Sequence, residues 1–212
     1  GMGIENIQRL PLLSKHEFEE SIRFKLAEKN LLITFHPVTL EDATAESQFA
    51  ELLAALDKLE GTHLIFTKAN SDTAGRIINQ MIDDYASANP HKAVAFTSLG
   101  QLRYLSALQY VDAMVGNSSS GLAEAPSFKI GTINMGDRQK GRMKASSVID
   151  CEPSQPAIAH ALSKLYSDEF QASLPLTENP YGDGCPSAKI IDTIKQTELT
   201  KIVKKTFFDL NN

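Results

Sequence analysis

One stretch of the chain, Gly116–Arg142 (GNSSSGLAEAPSFKIGTINMGDRQKGR), has residue types and spacing that suit an anion-binding site. A short apolar run, Val111–Val115, leads into a small polar turn at 116–120 and then into a segment of helical length at 121–128. Backbone N–H groups at a helix start lack intrahelical partners and carry the positive end of the helix dipole. The pattern therefore predicts strand, turn and helix around an anion, with a diphosphate as the natural candidate.

The side chains of this stretch are given separate roles. Hydroxyls of Ser118, Ser119 and Ser120 would add donors to a diphosphate without blocking its close approach, and Asn117 is grouped with them as a binding residue. Glu124 cannot hold a phosphate because like charges repel, but its carboxylate can accept hydrogen bonds from ribose hydroxyls. The alternative is that this Gly-Asn-Ser-Ser-Ser turn only connects a strand to a helix, as in any α/β protein.

A second loop strengthens the anion-site interpretation. The short predicted strand Thr132–Met135 is followed by GDRQKGR, which places Arg138, Lys140 and Arg142 on the loop after it. Ligands of open parallel sheets bind outside the carboxyl ends of the strands, and guanidinium groups suit phosphates. We therefore predict that Arg138 and Arg142 lie beside the serine turn and contact the bound ligand.

Composition excludes several classes of function. The chain has 212 residues and a formal net charge of −5, which leaves no basic surface large enough for nucleic acid. No apolar run approaches the roughly 20 residues that cross a bilayer, and no signal peptide is present, so we expect a soluble, cytoplasmic protein without membrane contact.

Histidine and cysteine patterns predict neither a metal nor a cofactor. The only two cysteines, Cys151 and Cys185, lie far apart and outside any CxxC arrangement, which favours free thiols in a reducing compartment. Four histidines show no metal-ligand spacing: His16, His63, His91 and His160.

The periodicity of the chain predicts one α/β domain with flanking segments. Apolar runs of strand length alternate with amphipathic helical segments, strands at 31–35, 64–68, 93–97, 111–115, 132–135 and 147–149, helices at 45–59, 73–86, 99–110, 121–128 and 156–166. This alternation is typical of a Rossmann-like, doubly wound parallel sheet. We divide the chain into a lead-in segment (1–28) with one helical pattern at 15–26, a ligand-binding domain (29–197) and a C-terminal helical arm (198–212).

Three motifs together resemble one family. The block GNSSSGLAEAPSF…TINMGDRQKGR, the strand end TFHPVT (Thr34–Thr39) and the tail NPYGDG (Asn179–Gly184) are similar to the C-terminal half of the hydrolysing UDP-N-acetylglucosamine 2-epimerases. The resemblance spans nearly the whole chain, in family order. It implies two facing Rossmann-like domains of the GT-B type with the nucleotide sugar between them, of which the N-terminal domain would be missing here.

The resemblance also implies roles for individual residues. Ser118 and Ser119 would hold the diphosphate of UDP, Glu124 the ribose, and Arg138 the phosphates or the sugar. Phe96, Thr97 and Ser98 would face the uracil, mostly through backbone groups. His36 would lie near the glycosidic bond as the catalytic residue of this half.

The chain departs from the family pattern after Phe128 and lacks one set of groups. Lys129 stands where the family usually has glycine, and Gly131 where it has proline two residues later, so if that glycine is a left-handed helix cap, either Lys129 bears some strain or the cap differs. The carboxylates that perform acid/base chemistry would come from the N-terminal half, since no motif positions Glu41, Asp42 or Asp137 to replace them. The HPVT strand end favours the hydrolysing branch.

The implied reaction converts UDP-N-acetylglucosamine and water to N-acetylmannosamine and UDP, for the biosynthesis of sialic-acid-type sugars. The expected partners are UDP or its sugar and the missing N-terminal domain, with a homodimer left open. The exact sugar is also open, because a related epimerase could take a 2,4-diacetamido derivative. Two rivals remain: the donor domain of a GT-B glycosyltransferase, and a non-catalytic nucleotide-binding module.

Overall fold

Six parallel strands form one sheet in the computed structural model, which describes residues 2–37, 42–69, 73–182 and 186–197. The strands are β1 (Lys29–Thr34), β2 (Thr62–Thr67), β3 (Ala93–Phe96), β4 (Ala113–Gly116), β5 (Gly131–Met135) and β6 (Val148–Cys151). Their order in the sheet is β3-β2-β1-β4-β5-β6, with every pairing parallel. This is the strand order of the doubly wound dinucleotide-binding fold, so the predicted fold class is confirmed.

The helices of the described residues connect and cover the strands. They are α1 (Met2–Arg9), α2 (Lys15–Ile22), α3 (Asp42–Asp57), α4 (Thr73–Ala88), α5 (Gly100–Ala107), α6 (Ser120–Ala123), α7 (Gln155–Leu165), α8 (Asp168–Ser173) and α9 (Pro186–Gln196), with 3₁₀ turns at Ala125–Phe128 and Leu174–Leu176. Within these ranges, no helix combines the length and the apolar character needed to cross a bilayer.

Alternating side chains of the strands build a core on each face of the sheet. In β1, Leu31 and Ile33 join one cluster while Leu32 joins the other. The first cluster includes apolar side chains of α3, α4 and α7, and the second includes those of α2 and α5. Because successive strand residues point to opposite faces, a nearly continuous apolar strand requires helices on both sides of the sheet.

The predicted helix over 121–128 is wrong as a single α-helix. The structure has α6 over Ser120–Ala123 and then the 3₁₀ turn Ala125–Phe128, with Pro126 near its start. Proline has no backbone N–H, so the bond that would continue α6 through Pro126 cannot form.

Two further differences concern the ends of the domain. Helices α1 and α8 were not predicted, and α2 buries Phe18 and Ile22 in the second core cluster although it lies in the predicted lead-in segment. The predicted arm at 198–212, together with Val38, Thr39 and Cys185, lies outside the described residues. The division into lead-in, domain and arm stays a prediction.

Candidate functional site

The carboxyl ends of neighbouring strands lie level with one another. Thr34 at the end of β1 pairs with Thr67 of β2 and with Gly116 of β4, and Thr67 pairs with Phe96 of β3. The chain leaves β1 toward β2 and β3 on one side and reaches β4 on the other, so this edge is the topological switch point where ligands of such sheets bind.

A cleft of about 380 Å³ opens at this switch point. Residues at or after the ends of β1, β2, β3 and β4 line it, and those with polar side chains are Thr34, His36, Thr67, Lys68, Thr97, Ser98, Gln101, Tyr104, Ser118 and Ser120. Five predicted site residues are thus brought together: His36, Thr97, Ser98, Ser118 and Ser120. Phe96, Asn117, Ser119, Glu124, Arg138 and Arg142 do not line the cleft.

Gly116 allows β4 to end directly beside β1. Its φ is 133°, and a Cβ atom at this position would overlap the carbonyl oxygen of Thr34. Only glycine fits such a close backbone approach. The next residue, Asn117, donates its backbone N–H to the same Thr34 carbonyl at 3.1 Å. The serine turn therefore starts in fixed contact with the end of β1.

Backbone N–H groups of the serine turn are less available to an anion than the sequence suggested. Gly121 and Leu122 donate to the carbonyls of Ser118 and Ser119 at 3.2 and 3.1 Å, and the N–H of Ser120 donates to the Ser118 hydroxyl at 3.3 Å. Helix α6 has only four residues, so its dipole is small. Ser118 and Ser120 both line the cleft, but the Ser120 Oγ is buried, so the Ser118 hydroxyl is the better-placed donor.

Asn117 is buried and holds the backbone of His36. Its side-chain oxygen accepts the His36 N–H at 2.7 Å, and its amide nitrogen donates to the His36 carbonyl at 2.7 Å. Its own carbonyl accepts from Arg138 Nη1 at 3.1 Å and from Gln139 Nε2 at 2.8 Å. The loops that follow β1, β4 and β5 therefore meet at one residue.

Arg138 and Arg142 occupy exposed positions on the loop after β5. Partial burial, together with the nearby positive charge of Arg142, lowers the pKa of the Arg138 guanidinium. Two cations close enough to repel each other make this loop attractive to an anion.

Glu124 lies at the end of α6 and is half-buried. Burial raises the pKa of its carboxyl, and the Ser120 side chain opposes that shift. The carboxylate packs against α1, since a Cβ atom added at Gly3 would overlap Glu124 Oε1. Its predicted contact with a ribose stays a prediction.

The segment that follows β3 presents polar groups to the cleft. Thr97 and Ser98 are exposed, and the Ser98 hydroxyl accepts the N–H of Gly100 at 3.1 Å where α5 begins. Phe96 instead packs against the second core cluster, and its carbonyl accepts the N–H of Lys68 at 2.9 Å.

Sequence reasoning missed five polar residues that line the cleft: Thr34, Thr67, Lys68, Gln101 and Tyr104. The hydroxyls of Thr34 and Thr67 lie 2.6 Å apart, and Lys68 forms an ion pair of 2.6 Å with Asp83. These three could have been found as polar side chains at the ends of apolar strands. Tyr104 could not, because an aromatic residue at helical spacing is typical of a core position. Burial raises the pKa of its hydroxyl well above the ordinary value.

The lining residues suit a phosphorylated, hydroxyl-rich ligand. They offer hydroxyl groups, one histidine and one lysine, and the two arginines lie on the neighbouring loop. Among the described residues that line the cleft there is no carboxylate, and the described residues include no group of three or more metal-ligating side chains.

Comparison with known proteins gives one family and consistent relatives. The family model described as UDP-N-acetylglucosamine 2-epimerase matches residues 2–195. The hydrolysing GDP/UDP-N,N'-diacetylbacillosamine 2-epimerase of Campylobacter jejuni is 42% identical over 205 residues, which are 96% of this chain and 53% of that protein. The polysialic acid biosynthesis protein P7 of Escherichia coli is 35% identical over 181 residues, which are 85% of this chain and 46% of that protein.

Solved structures share the fold. The UDP-GlcNAc 2-epimerase of Methanocaldococcus jannaschii, solved in complex with UDP-GlcNAc and UDP, aligns with a TM-score of 0.67 at 14% identity, covering 92% of this chain and 51% of that one. This chain spans about half the length of the relatives it matches.

Proposed function

Because this chain belongs to the UDP-N-acetylglucosamine 2-epimerase family, we propose that it is the UDP-sugar-binding, C-terminal half of a hydrolysing 2-epimerase of the GT-B type. The full-length protein converts UDP-N-acetylglucosamine and water to N-acetylmannosamine and UDP. The observation that carries this proposal is the cleft at the switch point between β1 and β4, which gathers His36, Ser118 and Ser120.

This half stabilises the leaving group. In the elimination step a base removes the proton on C2, the C1–O bond breaks, and its electron pair goes to the diphosphate of UDP. Ser118, Ser119 and Arg138 donate hydrogen bonds to that diphosphate, and His36 donates another near the glycosidic oxygen. Donors fixed in advance, where charge develops, lower the barrier without moving during the reaction.

Water then completes the reaction. It adds across the C1–C2 double bond of the glycal, and a proton returns to C2 from the opposite face, which inverts that carbon. Both proton transfers need carboxylates, which we assign to the N-terminal half because the described cleft lining has none.

The remaining predicted residues bind the nucleoside and the phosphates. Glu124 accepts hydrogen bonds from the ribose hydroxyls, and Thr97 and Ser98 face the uracil through their backbone, next to Phe96, whose side chain packs in the core. Arg142 adds positive charge beside Arg138, whose pKa is lowered first by partial burial and then by that neighbouring charge.

A second candidate substrate is the UDP derivative of a 2,4-diacetamido sugar. The 42% identical relative from Campylobacter jejuni is named for N,N'-diacetylbacillosamine. Both sugars undergo the same elimination at C1 and C2, so the choice between them changes only the pocket for the C4 substituent. The relative named for polysialic acid biosynthesis supports the first sugar, whose product leads to sialic-acid-type compounds.

The test incubates the full-length protein with each UDP-sugar and identifies products by NMR. The proposal predicts free 2-epimerised sugar and UDP in equal amounts, with solvent deuterium at C2 when the reaction runs in D₂O. Sugar transferred to an acceptor would indicate a glycosyltransferase instead, and UDP binding without turnover would indicate a binding module. The 212-residue chain alone should give no product, because one wall of the cleft is absent.

A further inference from the structure

We propose that Asn117 is a positioning residue, which sets the place of His36 and does not itself contact the nucleotide sugar. This inference rests on the proposed function for its kinetic consequences. The same asparagine was grouped with the ligand-binding serines on sequence alone, and its contacts assign it another task.

The hydrogen-bonding groups of Asn117 already have partners within the protein. Its N–H donates to Thr34, its carbonyl accepts from Arg138 and Gln139, and its side-chain oxygen and nitrogen both bond the backbone of His36. The residue is 2% exposed. A ligand would have to displace bonds of 2.7 Å, leaving buried polar groups of His36 unpaired, which is costly.

The position of His36 depends directly on this contact. His36 follows β1 by two residues, beyond the last ladder pairing at Thr34, so the sheet does not hold its backbone. The two bonds to the Asn117 carboxamide fix both its N–H and its carbonyl. Because Arg138 bonds the Asn117 carbonyl, one residue also sets the spacing between the histidine and the arginine.

The same carboxamide arrangement occurs at the opposite edge of the sheet. At the start of β1, the Asn30 side chain accepts the N–H of Ala27 at 2.9 Å and donates to its carbonyl at 3.1 Å. Asn30 is also buried, with 4% exposure. It provides a matched control, because an identical substitution there breaks the same kind of contact far from the cleft.

The kinetic test uses Asn117→Asp in the full-length protein. The aspartate can still accept the His36 N–H, but its second oxygen faces the His36 carbonyl oxygen and repels it. We expect kcat to fall by about 10²-fold, as for a misplaced catalytic group, with little change in KM. Asn30→Asp should lower Tm and leave kcat unchanged. A raised KM with a normal kcat in Asn117→Asp would overturn the proposal.

A double-mutant cycle separates positioning from ligand contact. In a His36→Ala background, Asn117→Asp should change kcat by less than about twofold, because there is no imidazole left to misplace. An asparagine that bonds the ligand itself would lose the same factor with or without the imidazole. Additive effects would therefore contradict the proposal.

A measurement without turnover tests the contact itself in the 212-residue chain. The His36 amide should exchange with solvent slowly in the wild type and much faster in Asn117→Ala, while Asn30→Ala leaves it slow and UDP affinity stays unchanged in both. If Asn117→Ala does not fold, Asn117→Ser replaces it. Rapid exchange of the wild-type His36 amide would overturn the proposal, whether or not the full-length protein proves to be an epimerase.

Discussion

At the scale of single residues, Glu124 is a position where we expect ligand binding and fold stability to oppose each other. Its carboxyl is half-buried beside Ser120, and burial raises its pKa. A charged group held where it is poorly solvated costs stability unless a ligand uses it. We therefore expect its replacement to weaken ligand binding and to stabilise the unliganded fold.

Glu124→Gln should weaken UDP binding more than pyrophosphate binding. Hydrogen bonds to a charged group contribute about 1.5–3 kcal/mol, so if Glu124 binds the ribose as proposed, losing its charge should cost roughly ten- to a hundredfold in UDP affinity. Pyrophosphate has no ribose and should bind as before. Calorimetry with both ligands measures this, and equal weakening would show that Glu124 supports the serine turn instead.

The same variant should show a pH-dependent gain in stability. The folded-state pKa of Glu124 lies above the ordinary value of 4.5. The protonated carboxyl therefore contributes its full stability to the wild type below that value, and this contribution is lost as pH rises through the folded pKa. Tm of Glu124→Gln should therefore exceed that of the wild type at about pH 7, and the gap should close near pH 4. A gap that is constant with pH would assign the difference to packing.

His36→Ala, in the full-length protein, should lower kcat and kcat/KM alike. If the imidazole stabilises the departing diphosphate, its effect is confined to the transition state, and a loss of about 10²–10³-fold is expected by analogy with one oxyanion donor. Steady-state kinetics measures the effect on the transition state, and UDP affinity measures the effect on ligand binding. Near-normal turnover with a lower Tm would make His36 a structural residue.

Residue types alone predicted part of the cleft lining. The hydroxyls after β4 were recognisable because they follow an apolar run of strand length, whereas Thr97 and Ser98 after β3 were predicted only through the family resemblance. The partners of Asn117 were not, since its contact with His36 joins positions 81 residues apart. Tyr104 was hidden by the helical spacing that also describes a core position.

At the scale of elements, Lys129 shows which of the two alternatives holds where the chain departs from the family pattern. It ends the 3₁₀ turn with φ 58° and ψ 33°, the left-handed conformation. Its ammonium group donates to the carbonyl of Thr177, which ties this turn to the tail segment. Arg23 ends α2 in the same conformation, with φ 52° and ψ 38°.

Lys129→Gly should be more stable than Lys129→Ala by about 1 kcal/mol, because a left-handed conformation costs a residue with a Cβ about that much. Both variants lose the bond to Thr177, so the difference between their free energies of unfolding isolates the cost of the left-handed backbone conformation. Arg23→Gly and Arg23→Ala form a second pair for the same comparison. Urea unfolding measures all four, and equal midpoints within a pair would contradict the assignment of strain.

Most of the strands and helices could be predicted because each has one dominant apolar period. The split of the predicted 121–128 helix follows from Pro126 and could have been predicted from the sequence. Helices α1 and α8 are short, and α1 has a distant partner: Glu5 accepts hydrogen bonds from Ser187 of α9. Local periodicity carries no information about such partners.

At the scale of the whole molecule, topology explains why distant residues share one cleft. The reversal of strand order between β1 and β4 brings His36, Ser98 and Ser118 to the same edge, although they span more than eighty positions. The cleft remains open on one side, and the chain covers about half the length of its relatives. A single wall buries less of a ligand than a closed cleft, so we expect weak UDP binding by this half alone.

The most direct test of the central claim is an NMR titration of the ¹⁵N-labelled 212-residue chain with UDP. We predict saturable shifts of the amides of Ser118, Ser119 and Ser120 and of Thr97 and Ser98, fitting one weak binding site. Amides at the opposite edge of the sheet, such as that of Asn30, should not move. Shifts confined to other surfaces, or no shifts at millimolar UDP, would contradict the assignment of this cleft as the UDP site.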